Sequence, residues 1–287
     1  MLRLAVLLTI SCAFANGAAA LPLWELEGTR NQVRLLGSVH LLRAKDYPLP
    51  RALNKAYEDA EIIVMEADLS QQDAMQMQQI VQKLAVDPRG RGLSDLIGAG
   101  AYRQVSARMA GINMDISLFQ PYEPWFAALQ ITQLRMLQLG FDMSYGVDMH
   151  YTQRAQQDGK RIIGLETVEE QLRLMDSLSS KAQQAFLLQT VEEAQSIESS
   201  MDGILRAWRR GDARGLEREM LKGMQDQPDL YRRIIVTRNR DWTRSIRAYA
   251  NDSQDYLIVV GTLHLVGPDS VLKMLEDAGL PSRQIKR

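Results

Sequence analysis

The chain has 287 residues, with 34 Lys and Arg against 35 Asp and Glu and a formal net charge of -1. Its 46% apolar and 24% charged residues describe a folded domain and exclude a disordered chain, and the balanced charge leaves no global basic field for nucleic acid or anionic lipid. The single cysteine, Cys12, excludes an intramolecular disulfide and a cysteine zinc knuckle, and with only three histidines each one is informative.

Arg3, an apolar run over residues 4–10, and Ala18-Ala19-Ala20 before Leu21-Pro22 have the order of a secretory leader. Residues 1–20 are therefore expected to be a signal peptide and residues 21–287 a single exported domain, periplasmic or secreted. Thr9-Ile10-Ser11 is a poor lipidation signal, so a lipid anchor on Cys12 is the weaker alternative. No later apolar stretch reaches the ~18 residues a permanent membrane span requires.

Residues 33–40 read as a strand running into a turn at Gly37. Leu53, Ala56, Tyr57 and Ala60 share one face of a helix over residues 50–60. Residues 61–66 read as a buried strand, since three aliphatic residues follow one another. Helical patterns follow at 75–84, 93–111, 124–140 and 148–157, the last stopped by Gly159. A short buried strand is expected at 161–166. The near-heptad row Leu187, Val191, Ala194, Met201, Leu205, Trp208 predicts one long helix. An Arg-rich helix over 231–249, a strand over 256–261 and a closing helix over 271–278 complete the pass. Short buried strands joined through helices predict an α/β fold with a mostly parallel or mixed sheet and a helical middle.

Two segment pairs look alike: Gly37-Ser38-Val39-His40 with Gly261-Thr262-Leu263-His264, and residues 62–66 with 162–166. They hint at two weakly related halves whose strand ends meet. In both Gly-x-x-His motifs, glycine permits a close backbone approach, and the histidine then points into the crevice where open α/β sheets bind ligands. Glu66 ends an apolar run, where a carboxylate needs a partner. Two imidazoles and a carboxylate, His40, His264 and Glu66, are a donor set for a divalent metal that activates water. The alternative is a metal-free site in which one histidine is a general base oriented by Glu66. Asp148 has the position of a helix cap, Glu166 that of an exposed charge before a helix, and Arg238 lies on a charge-rich face. His150, outside any Gly-x-x-His motif, is read as structural.

Taken together, these pieces resemble the TraB/GumN family, which includes TIKI-type proteins and is related to the erythromycin-esterase and ChaN-like group. The resemblance rests on Trp24, Gly37-Ser38-Val39-His40, Val64-Met65-Glu66-Ala67-Asp68 and Tyr145-Gly146-Val147-Asp148. It continues through Gly164-Leu165-Glu166-Thr167 with Gln171, Trp208 with Gly211-Asp212, Arg238-Asn239 and residues 261–268, in order along almost the whole chain beyond residue 20. Where many members have Gly-Ala-Gly-His, this chain has the bulkier Leu263. The resemblance implies central sheets flanked by helices and a site built from both Gly-x-x-His motifs. From TIKI-type members it implies a metal-dependent peptidase favouring manganese or cobalt. It places His40, Glu66 and His264 at the core of the site, with Asp148, Glu166, Arg238 and Asn239 as supports or substrate contacts. The erythromycin-esterase relatives imply instead a histidine base.

The sequence reading is thus an exported metal-dependent hydrolase, most simply peptidase-like, acting on a peptide or small molecule. The alternative from another class is a non-catalytic protein that sequesters a peptide signal or a metal in the same crevice. A purely structural role is a third.

Overall fold

The computed structural model describes residues 20–71, 73–221, 224 and 227–286. The expected leader, with Cys12, lies outside the described residues except for Ala20. Six strands form one mixed sheet: β1 (Ala20–Leu26), β2 (Val33–Ser38), β3 (Ile62–Ala67), β4 (Arg161–Glu166), β5 (Tyr256–Gly261) and β6 (Ser282–Lys286), in the order β4-β3-β5-β2-β1-β6. The neighbours β4, β3, β5 and β2 are mutually parallel, while β1 runs antiparallel to both β2 and β6. Pro22, which cannot donate to a ladder, sits where the β1–β6 register shifts between Ala20 and Trp24.

Helices cover both faces. They are α1 (Arg51–Asp59), α2 (Ala74–Leu84), α3 (Leu93–Ala110), α4 (Pro124–Gln138), α5 (Val147–Asp158), α6 (Val168–Asp176), α7 (Ser180–Glu193), α8 (Ile197–Arg210), α9 (Ala213–Leu221), α10 (Pro228–Tyr231), α11 (Arg238–Tyr249) and α12 (Val271–Asp277). Strand alternation divides the core into two layers. Leu23, Leu36, Ile63, Met65, Leu257 and Val259 pack with Leu53, Tyr57, Tyr151 and Trp208 of α1, α5 and α8. Val33, Leu35, Ile62, Val64, Ile258 and Val260 pack with Trp242, Ile246, Val271 and Leu275 of α11 and α12. A separate helical core joins α3, α4 and α7, and Trp125 and Phe126 of α4 anchor another with α2 and α6. Among the described residues no helix is long and apolar enough to cross a membrane.

The α/β class and the mixed sheet agree with the sequence reading. Four particulars differ. The like segments do not belong to two sheets: β2 pairs with β5 and β3 with β4, as neighbours in one sheet. β4 is an edge strand, half-buried to exposed, because among the described residues no strand pairs beyond it. The expected long helix is two helices, α7 and α8, broken near residues 194–196. Leu187 and Val191 serve the helical core while Leu205 and Trp208 serve the sheet, so the chain must turn between layers. The Arg-rich helix contains a π-helical segment, Arg232–Thr237, between α10 and α11. Strands β1 and β6 and the short helix α9 have no counterpart in the sequence reading, whereas α6 is the helix expected after Glu166.

Candidate functional site

Because β2, β3, β4 and β5 run parallel, their carboxyl ends lie along one edge of the sheet, where open α/β sheets place ligands. His40 follows β2, Glu66 and Glu166 sit at the ends of β3 and β4, and His264 lies in a short turn after β5. Both motif glycines are required by close approach. A Cβ on Gly37 would lie 2.8 Å from Thr262 Oγ1, and one on Gly261 would lie 3.0 Å from both Glu66 Oε1 and His40 Nε2. A cavity of about 300 Å³ opens over His40, Glu66, Arg238 and His264. A larger cavity of about 610 Å³ lies beside Tyr47 and Arg209; its Asp46 is already held by Arg43 and Arg209, and no histidine lines it.

His40 is placed by its loop. The Val147 N–H donates to the Val39 carbonyl, and a Leu42–Asp142 bridge ties the same loop to the turn before α5. Asp148, in the first turn of α5, is thereby brought to 3.1 Å from His40 Nδ1, although its Oδ1 is off the hydrogen-bonding direction. The helix cap is Gly146, so Asp148 does not cap α5 and serves His40 instead. Glu66 Oε1 lies 3.8 Å from His40 Nε2. Burial works against protonation of His40, but the Asp148 and Glu66 charges overcome it and push its pKa up to about 9. About half of its side-chain surface is exposed, and it lines the cavity.

Glu66 is held on every side. Its Oε1 accepts the Gly261 N–H at 2.6 Å, and its Oε2 accepts from Arg238 at 2.5 Å and from Gln171 at 3.3 Å. Burial opposes its charge, but His264 when protonated, together with Arg238, His40 and the Gly261 N–H, pulls its carboxyl down to about 2. Arg238 also pairs with Glu166 at 2.5 Å, donates to the Ile234 carbonyl at 3.1 Å, and stacks over the Trp242 ring at 4.6 Å. The π-helical segment offsets the hydrogen-bond register just before Arg238, a local feature that recurs at functional sites. Glu166 is therefore a half-buried ion-pair partner, not an exposed charge.

His264 is buried, and its state follows from its neighbours. Asn239 Nδ2 donates to the Asp269 carbonyl at 2.7 Å, leaving Asn239 Oδ1 to accept from His264 Nδ1 at 2.6 Å. The lone pair then sits on Nε2, which accepts from Arg238 at 3.1 Å. Burial and the charges of Arg238 and His40 push its pKa down to about 3 against the pull of Glu66, so the ring is neutral near pH 7. His150 lies apart, its ring between those of Tyr47 and Tyr151. Sequence reasoning missed Trp242, which stacks on both Arg238 and His264; its four-residue spacing from Arg238 on one helix was the available signal.

As arranged, the donor set His40, Glu66 and His264 does not fit a divalent ion. Glu66 Oε2 and His264 Nε2 are both turned onto the Arg238 guanidinium, a permanent cation in the place a metal would take. Among the described residues no three His, Cys, Asp or Glu side chains are grouped to hold a metal. Manganese or cobalt at these residues requires Arg238 to withdraw.

The TraB/PrgY/gumN family profile matches residues 22–284. The chain belongs to this family. Among curated relatives, "Uncharacterized protein YbaP" of Shigella flexneri and of Escherichia coli (strain K12) are each 25% identical over 250 residues, covering 87% of this chain and 89% of theirs. No solved structure matches the chain. The matched span of the family contains every residue of the cluster from His40 to His264.

Proposed function

We propose that this chain is an exported hydrolase of peptide-like bonds in which His40 moves the proton. The observation that supports this reading is the convergence on one small cavity of a half-exposed imidazole, held by Asp148 and Glu66, and a largely covered guanidinium, held by Glu66 and Glu166. Neutral His40 takes a proton from the attacking water and returns it to the leaving group as the scissile bond breaks. Arg238 provides positive charge for the carbonyl oxygen that becomes an anion. His264, neutral and buried, positions Arg238. The leader-like residues 1–20 support export.

The test is turnover of a peptide mixture and of p-nitrophenyl esters by the purified exported chain, with EDTA and with added manganese or cobalt. The expected result is cleavage that is lost in His40→Ala and Glu66→Gln and that rises with pH toward about 9 as His40 loses its proton. Cleavage abolished by EDTA and restored by metal would assign the metal route. Saturable, stoichiometric capture without product would overturn hydrolysis in favour of a binding protein.

A further inference from the structure

We infer that the cavity over His40 is a specificity pocket for one neutral, apolar side chain of aliphatic size, next to the bond presented to His40. The word "substrate" here rests on the hydrolase reading; the binding preference does not. The floor of the cavity is the polar cluster already described. Its walls are Met201 and Ile204 from α8, Met220 from α9, Ile234 from the π-helical segment and Leu263 from the turn that ends in His264. All five are half-buried, so each keeps apolar surface facing the cavity. Four separate chain segments thus turn apolar groups toward one concave space, whereas scattered exposed apolar residues would need no explanation.

Size and charge narrow the occupant. About 300 Å³ is the low end for small-molecule sites, enough for one side chain with its flanking amide or ester group. Among the described residues the cation on the floor with a fixed charge is Arg238, which is already matched by Glu66 and Glu166, and Asp148 adds a further carboxylate beside His40. Even with His40 protonated, the two cations of the floor are outnumbered by the carboxylates of Glu66, Glu166 and Asp148, of which Glu66 lines the cavity, so an acidic side chain finds no free guanidinium to receive it. Leu263 stands between the motif glycine and His264 and closes the wall nearest the chemistry. The two unbranched methionines can adjust the width.

The experiment measures binding without requiring turnover. N-acetyl amides of leucine, alanine, phenylalanine, aspartate and lysine are titrated into the purified chain, and the His40 imidazole resonance and tryptophan fluorescence are followed. Leucine has three more carbons than alanine, which corresponds to tenfold to about fiftyfold tighter binding as half or all of them leave water. The leucine amide is expected to bind at least tenfold more tightly than the alanine amide, with the aspartate amide weakest. Ile204→Asp and Met220→Lys should each erase the preference while the far- and near-ultraviolet dichroism stay unchanged, which shows that the chain is folded. Leu263→Gly should shift the preference toward the phenylalanine amide. Equal binding of leucine and alanine, tighter binding of aspartate or lysine, or wall variants without effect would overturn the proposal. Selective leucine binding without any peptide cleavage would sink the hydrolase reading and leave the pocket standing. Cleavage indifferent to side-chain type would do the reverse.

Discussion

Replacing Asp148 by Asn tests the electrostatic heart of the site. Asp148 lies 3.1 Å from His40 Nδ1 and is the largest influence favouring the charged ring, ahead of Glu66 at 3.8 Å from Nε2. Burial acts the other way, and the balance lifts the ring from 6.5 to about 9. An opposite charge at this range moves a pKa by roughly 1–3 units, so Asp148→Asn should bring His40 back to about 6–8. In a sealed site a rise from 6.5 to about 9 would correspond to about 3 kcal/mol. Half of this side chain is open, however, and screening reduces its contribution to stability toward the 0–1 kcal/mol of exposed pairs. The sign follows from the raised value: this contribution is fully present below pH 6.5 and is lost as pH climbs through about 9. The assay is a ¹H–¹³C NMR titration of the metal-free chain, which needs to resolve only three histidines. His40, assigned through His40→Gln, should titrate near 9, His150 below its ordinary value, and His264 not at all above about pH 4. A wild-type His40 that titrates at or below 6.5, or one that Asp148→Asn leaves unmoved, would refute this account of the site.

Arg238→Met should destabilise the chain by about 2–4 kcal/mol in urea titration, somewhat below the cost of breaking a fully buried pair, because it leaves the largely covered carboxylates of Glu66 and Glu166 without their cation; adding Glu166→Gln should recover part of that loss. Asn239→Leu orphans His264 Nδ1 and the Asp269 carbonyl, at a cost of about 1–3 kcal/mol that scanning calorimetry would register as a Tm lower by several degrees. Gly261→Ala puts a Cβ 3.0 Å from Glu66 Oε1 and His40 Nε2, and is expected to lower any turnover at least tenfold while the far-ultraviolet dichroism stays unchanged. On acidification, Glu66 contributes stability above pH 4.5 that disappears as pH falls through about 2. His264 adds a loss that begins below pH 6.5, so Tm should fall from pH 6 downward, less steeply in His264→Phe.

The chemistry-bearing residues were legible because strands announce themselves and end abruptly. Apolar runs at β2, β3 and β5 stop at His40, Glu66 and Gly261, and a polar residue at such a stop must either reach solvent or find a partner. Short-range pattern also carried the α/β class, most helix positions and the expectation that the motif glycines mark close approach. It failed at β1 and β6, where Pro22 and a charged final strand mask the periodicity and only the neighbouring strand defines the pairing. It failed at the α7–α8 break, because an apolar row does not say which of two cores each residue serves.

The roles within the site were decided by tertiary structure alone. Asp148 and Glu166 have the local signatures of a cap and a solvated charge, and only the fold brings one to His40 and the other to Arg238 across 72 residues of sequence. The two histidines of matching motifs end in opposite states, one raised to about 9 beside two carboxylates and half exposed, the other lowered to about 3 by burial. The sequence by itself determined which residues stand at the strand ends, since alternation and chain punctuation are local properties. It could not determine which strand ends become neighbours, and a side chain's charge, partner and accessibility depend on those neighbours.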